Sequence, residues 1–264
     1  MCTVTFVPLG DKNFVLTSNR DVSWKRAPAS SPQIHMEHGV DLLYPRDEEA
    51  GGTWIGSSYD NRLLCLLNGG FENHARKLPY RKSRGLIVTE LLAAPELSTA
   101  LEAIDLEDIE PFTLVTVEWK DELTLGEFVW DGSQKHRKIL PIEAHIWSSS
   151  TLFDPEMRDT RKNWFEDWKR QGEFSPKSIQ EFHRTAGKGD DNVGVILKRN
   201  QVGTVSTTQF VRQESSRFHY QPVSTPVYIR KARNDTITAP IPARIMNEKF
   251  NIMNFTMVLI RPCS

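Results

Sequence analysis

Residues 1–21 read Met1-Cys2-Thr3-Val4-Thr5-Phe6-Val7-Pro8-Leu9-Gly10-Asp11-Lys12-Asn13-Phe14-Val15-Leu16-Thr17-Ser18-Asn19-Arg20-Asp21. Over residues 2–8 the side chains alternate, with Cys2, Val4 and Phe6 on one face and Thr3 and Thr5 on the other. That period of two predicts a half-buried strand. Leu9-Gly10-Asp11-Lys12 supplies turn chemistry, and Phe14-Val15-Leu16-Thr17-Ser18 returns as a second strand. If Pro8 pairs near Phe14, cross-strand partners have numbers summing to about 22, so Cys2 falls opposite Arg20. Residues directly opposed in such a hairpin have Cβ atoms about 5 Å apart. The hairpin therefore delivers Asn19-Arg20-Asp21 to the Cys2 thiol.

Working outward, Gly51 to Ser58 and Leu63 to Leu67 read as a second hairpin hinged near Asp60-Asn61. The next elements are helices at Gly85 to Ala94 and Ser98 to Ile104, the latter with Ser98 as N-cap. Strands return at Thr113–Trp119 and Leu123–Trp130. Asp154 or Pro155 opens a long helix ending near Arg170, and a second helix from Ser175 carries Ile179 and Phe182 on one face. Val202–Val211, Phe218–Tyr220, Val227–Ile229 and Phe255–Ile260 are strand-like. Strands, then helices, then strands again predict an α+β fold of two stacked, mainly antiparallel sheets with helices outside. Neither a repeat nor a Pro/Ser-rich linker divides the chain, so residues 1–264 read as one domain.

Bulk composition narrows the function. Lys and Arg number 33 against 34 for Asp and Glu, which leaves no global field to attract nucleic acid. No apolar run approaches the roughly 20 residues that span a bilayer. The start lacks the basic and apolar regions of a secretory signal, so a cytoplasmic location is expected. The three cysteines, Cys2, Cys65 and Cys263, form neither a disulfide framework nor a zinc pattern, and no metal or organic cofactor is implied. Cys65 reads as core and Cys263 as a frayed tail.

Cys2 is the residue with the most chemistry. Methionine aminopeptidases remove Met1 when the second residue is small, and the product carries a thiol and a free α-amine on one residue. The amine, with an ordinary pKa of roughly 7.7–8.0, acts as a base near neutral pH. A thiol beside a base is an activated nucleophile. Arg20 opposite it favours the thiolate or a developing oxyanion, and Asp21 can orient the amine.

The motifs Met1-Cys2-Thr3 and Leu16-Thr17-Ser18-Asn19-Arg20-Asp21 resemble the opening of the NRDE family, also called the transport and Golgi organisation protein 2 family. Gly52-Thr53-Trp54-Ile55-Gly56, Asn68-Gly69-Gly70, Ser83-Arg84-Gly85 and Gly203-Thr204 extend the likeness to about residue 210. That family in turn resembles N-terminal-nucleophile (Ntn) hydrolases of the choloylglycine hydrolase and penicillin acylase type. The resemblance implies a four-layer αββα sandwich, with Cys2 attacking a non-peptide amide assisted by Arg20 and Asp21. Three positions depart from the pattern: Val22 replaces the family's Glu, Ser149 an expected Asn, and Val205 an Arg.

Around this centre, the Asn68 side chain or a backbone amide of Asn68-Gly69-Gly70 is placed to donate to an oxyanion. Asn19, Trp54, Gly69 and Ser149 are candidates for contact with substrate, although a strand Trp is more often core and Trp147-Ser148-Ser149-Ser150 also reads as a Ser-rich turn. His74 and the basic stretch through Arg84 read as a solvated loop, with an anion at the following helix N-terminus as the alternative. Two functions follow: a Cys2 amide hydrolase acting on a small-molecule amide, or a binding protein of the same family for an amphipathic anionic ligand. For the latter the resemblance suggests haem trafficking or an acyl-coenzyme A or lipid-like cargo.

Overall fold

The structure is a computed structural model that describes residues 3–223. In chain order its elements begin with strands β1 (Thr3–Pro8), β2 (Phe14–Ser23), β3 (Gln33–Glu37), β4 (Val40–Tyr44), β5 (Ile55–Ser58) and β6 (Arg62–Asn68). Helices α1 (Arg84–Ala93) and α2 (Leu97–Ala103) follow, then β7 (Phe112–Glu118), β8 (Thr124–Trp130), β9 (Lys135–Leu140) and β10 (His145–Ser148). Helices α3 (Pro155–Arg170) and α4 (Pro176–Thr185) precede β11 (Val202–Arg212) and β12 (Ser216–Pro222). Cys2, Cys263 and the strand-like stretches Val227–Ile229 and Phe255–Ile260 lie outside the described residues.

The strands form two antiparallel sheets, one ordered β10-β1-β2-β11-β12 and the other β3-β4-β5-β6-β7-β8-β9. Val4, Phe6, Phe14 and Leu16 from the first sheet meet Ile55, Leu63, Cys65 and Val115 from the second in a shared core. On its other face the seven-stranded sheet carries α1 and α2 through Leu64, Leu66, Val88 and Leu92. The five-stranded sheet carries α3 and α4 through Val7, Val15, Phe165 and Ile179. The order of layers is therefore αββα, as the sequence predicts.

Strand β1 corrects one expectation. It is not half-buried: Thr3 and Thr5 are as inaccessible as Val4 and Phe6. Their hydroxyls face the helix layer, which supplies polar partners in place of water. Arg161 of α3 donates from Nη1 to Thr3 Oγ1 at 2.5 Å, and His183 of α4 lies 2.8 Å from Thr5 Oγ1. Buried hydroxyls are tolerated there because each is paired.

Smaller differences have local causes. Strand β2 runs on to Ser23 because β11 pairs with it through Val202↔Ser23. Helix α2 is capped by Glu96, whose carboxylate accepts from Ser98 N, so Ser98 lies inside the helix and is not its cap. The edge strands β3 and β9 were not legible: Gln33-Ile-His-Met-Glu37 and Lys135-His-Arg-Lys-Ile-Leu140 lack a clean apolar alternation. They are strands because a neighbour offers a ladder, and their charge protects the exposed edge.

His183 provides a test of the helix–sheet contact. Burial, followed by the Arg161 charge, pushes its imidazole down to about 3 from 6.5. Between those values the unfolded chain takes up a proton that the fold refuses. This stability is complete above about pH 6.5 and declines as the pH falls toward 3. Urea unfolding at about pH 7.5 and pH 4.5 should show a lower midpoint in acid, and His183→Gln should flatten that dependence.

Candidate active site

The open end of the five-stranded sheet gathers the sequence motifs. Consecutive strand residues point to opposite faces, and Asn19 points to the helix layer. Its Nδ2 donates to the carbonyls of His183 at 3.1 Å and Val195 at 2.8 Å, and its Oδ1 accepts from Thr207 Oγ1 at 2.9 Å. Asn19 Oδ1 also sits 3.1 Å from His183 Nδ1. Since Oδ1 only accepts, Nδ1 carries the imidazole proton and Nε2 accepts from Thr5. The Asn19 amide thus anchors β2 to α4.

Arg20 is 1% exposed. Its Nη2 donates to Asp47 Oδ2 at 2.5 Å, and the guanidinium carbon lies 4.6 Å from the Trp54 ring centre. Asp47 also takes two bonds of 2.8 Å from Arg26 and one of 3.0 Å from Ala50 N. Burial would raise the Asp47 carboxyl, but the Arg26 hydrogen bonds and the Arg20 and Arg26 charges hold it below the usual carboxylate range. Sequence reading missed Asp47, because Arg46-Asp47-Glu48-Glu49 looks like any solvated charged run.

Asp21 Oδ1 accepts from Thr204 Oγ1 at 2.5 Å, and the same hydroxyl accepts from Leu197 N at 2.8 Å. The Gly203-Thr204 motif acquires a reason here. A Cβ on Gly203 would stand 1.9 Å from the Trp24 ring, so only glycine lets β11 pass that indole.

The turn after β6 is held from two sides. Gly69, at φ 87°, donates its N–H to Pro111 O at 3.0 Å. Ser149 Oγ donates to Asn68 O at 2.6 Å. Asn68 also lines the adjoining cavity. That cavity, about 100 Å³, is bounded by Arg26, Asp47, Trp54, Asn68, Arg84 and Gly85 among others. Trp54 belongs both to the inter-sheet core and to this wall. A larger hollow of about 580 Å³ lies between α3 and α4, beside Trp164 and Trp168, and is lined by none of the motif residues.

The basic loop is not simply solvated. Arg84 Nη2 meets Glu110 at 2.9 Å, with His74 and Arg76 each 3.4 Å from the same carboxylate. His74 is partly buried by that contact. Cys65 is fully buried, and burial pushes its thiol up to about 12, which makes it inert. Among the described residues no group of three or more His, Cys, Asp and Glu is placed to hold a metal ion. None of the described helices is long and apolar enough to cross a membrane.

Two face-to-face antiparallel sheets between helix layers, with β1 inside one sheet and a polar cluster at its open end, define the Ntn-hydrolase-like class of fold. The chain belongs to the family Transport and Golgi organisation 2, whose pattern matches residues 1–232. No curated protein sequence matches it significantly. Among solved structures it is similar to the Caenorhabditis elegans ortholog of N-acylethanolamine-hydrolyzing acid amidase, at TM-score 0.56 and 14% identity, over 80% of this chain and 92% of that one. It is also similar to a conjugated bile acid hydrolase from Clostridium perfringens, at TM-score 0.47 and 10% identity, covering 84% and 89% of the two chains. Penicillin V acylase from Agrobacterium tumefaciens follows at 0.42 and 8%, over 86% and 84%. At such identities the shared property is the fold.

Proposed function

We propose that the protein is an Ntn-type hydrolase that cleaves a non-peptide carbon–nitrogen amide bond, with Cys2 as nucleophile. The observation that carries this reading is the hairpin register. Each β1–β2 pair, from Pro8↔Phe14 to Thr3↔Asn19, has numbers summing to 22, and the hydrolase reading continues that register by one step to pair Cys2 with Arg20. Val4 and Phe6 face the inter-sheet core, and the reading takes Cys2 to continue that alternation.

In the proposed reaction the Cys2 thiolate adds to the amide carbonyl carbon while the α-amine holds the thiol proton. The tetrahedral oxyanion takes a hydrogen bond from the Asn68 side chain, and Arg20 supplies positive charge. Collapse breaks the carbon–nitrogen bond, and the leaving amine departs with the proton from the α-ammonium. Water, deprotonated by the α-amine, then cleaves the thioester and regenerates the thiol. Asp21 orients the amine, and Asn19 keeps the end of β2 in place.

A second reading, a binding protein for an amphipathic anionic ligand, draws on a different observation. The Ser149 hydroxyl is engaged with Asn68 O, and Val22 and Val205 bring no polar group.

Intact-mass analysis before and after iodoacetamide tests the hydrolase. The expected result is a chain without Met1 that gains one fast adduct, which Cys2→Ala abolishes. A retained Met1, or an adduct that survives Cys2→Ala, would sink the mechanism. N-acylethanolamines, which give the C. elegans neighbour in fold its name, serve as the neutral amides against which amides ending in a carboxylate or phosphate are compared.

A further inference from the structure

The cavity beside Asn68 has an unusual charge balance for a chain of net charge −1. Asp47 serves two guanidiniums, Arg20 and Arg26, and Glu110 serves two more, Arg84 and Arg76. The additional acid in contact is Glu49, 3.6 Å from Arg26 and largely exposed. Both shared carboxylates are only 12% exposed, so their surroundings screen charge weakly. Of the charged residues that line the cavity, Arg26 and Arg84 are cations and Asp47 is an anion, so the lining itself carries an excess of positive charge.

The hydrogen-bond inventory points the same way. Trp54 lines the cavity, and its buried indole N–H has no hydrogen-bond partner among the described residues. Arg20 Nε, behind Trp54, is a second such donor. Both are donors, and a buried donor without an acceptor is costly, so each calls for an acceptor. Helix α1 begins at Arg84, with Ser83 as its cap and no acidic residue in the first turn, so its positive end adds to that excess. The backbones close in here as well: a Cβ on Gly52 would stand 2.2 Å from the Gly85 carbonyl carbon.

Size then limits the occupant. Complete small-molecule pockets run to about 300–1,000 Å³, so about 100 Å³ is a subsite. At about 30 Å³ for a water-sized group, it holds one small oxyanion group with little else.

We propose that this cavity is a subsite for a carboxylate or phosphate group of the ligand, recognised by Arg84, Arg26 and the Trp54 N–H. The role as a substrate subsite rests on the hydrolase reading; the anion binding itself does not. The substrate class is thus an amide with a terminal oxyanion, as opposed to a neutral lipid amide.

Thermal unfolding of the full chain in sodium phosphate, sodium acetate and sodium chloride at matched ionic strength decides it. Phosphate or acetate should raise the midpoint over chloride in a saturable way, and the stronger of the two identifies the oxyanion. Arg84→Met should weaken the apparent affinity at least about tenfold, the loss of one hydrogen bond to a charged group. Arg26→Met, at a more exposed position, supplies the same test if Arg84→Met does not fold. Glu110→Gln should tighten binding. Equal midpoints in the three salts, or an unchanged shift in both arginine variants, overturns the subsite. Cys2→Ala keeps the ion-dependent shift, so anion binding is measurable even in a protein whose Cys2 fails to react with iodoacetamide.

Discussion

Arg20→Leu is expected to slow alkylation of Cys2 by iodoacetamide at neutral pH by at least about tenfold. An opposite charge within about 4–6 Å favours the charged form of an ionisable group by roughly one to three pKa units, and the thiolate is the species that alkylates. The guanidinium is fixed for this role by Asp47 at 2.5 Å and by the Trp54 ring beneath it. Arg20→Lys keeps the charge without the planar fork and should retain part of the rate. Asp47 keeps Arg26 in the Leu variant, so the carboxylate is not stranded and the chain should still fold. Equal rates in wild type and Arg20→Leu from about pH 6 to pH 9 would mean that Arg20 does not face Cys2. The binding reading would then take precedence.

Arg161→Met should have the largest effect on stability, about 3–5 kcal/mol, because it strands several buried acceptors at once. Arg161 is fully buried, with Nε donating to Val193 O at 2.7 Å, Nη2 to Gly194 O at 2.6 Å and Nη1 to Thr3 Oγ1 at 2.5 Å. Its guanidinium carbon also lies 3.5 Å from the Phe153 ring centre. One side chain thus ties α3 to the 193–194 loop and to the first described residue of β1. Urea unfolding followed by Trp fluorescence measures the loss, and a change within about 1 kcal/mol would show that these carbonyls find other partners. Thr3→Val removes the β1 bond alone and should cost about 1 kcal/mol, which apportions the contact.

Local patterns along the chain reach only part of this architecture. The β1–β2 register was legible because an alternating pattern and a four-residue turn leave little freedom in how two neighbouring segments pair. Helix α3 was legible from Asp154 and Pro155, which open it as its cap and its first residue. The order of layers followed from the order of elements, and membership of the family from short motifs spaced along 1–232. The edge strands β3 and β9 were not visible, since their sequences are polar and only a neighbouring ladder makes them strands.

The sequence by itself therefore determined the sandwich, the register of the β1–β2 hairpin, and Cys65 as core. Only the tertiary structure decided what surrounds that hairpin. Asp47 became the shared partner of Arg20 and Arg26, Asn19 an anchor to His183, and the basic loop a set of ion pairs on Glu110. Turn and strand preferences act between residues close along the chain and are written into their periodicity. Charge pairing acts between groups far apart in sequence and depends on burial, which lowers the dielectric and makes an unpaired group costly. Asp47 and Glu49 stand two residues apart in one acidic run. The fold buries the first between two guanidiniums and leaves the second exposed at the edge of Arg26.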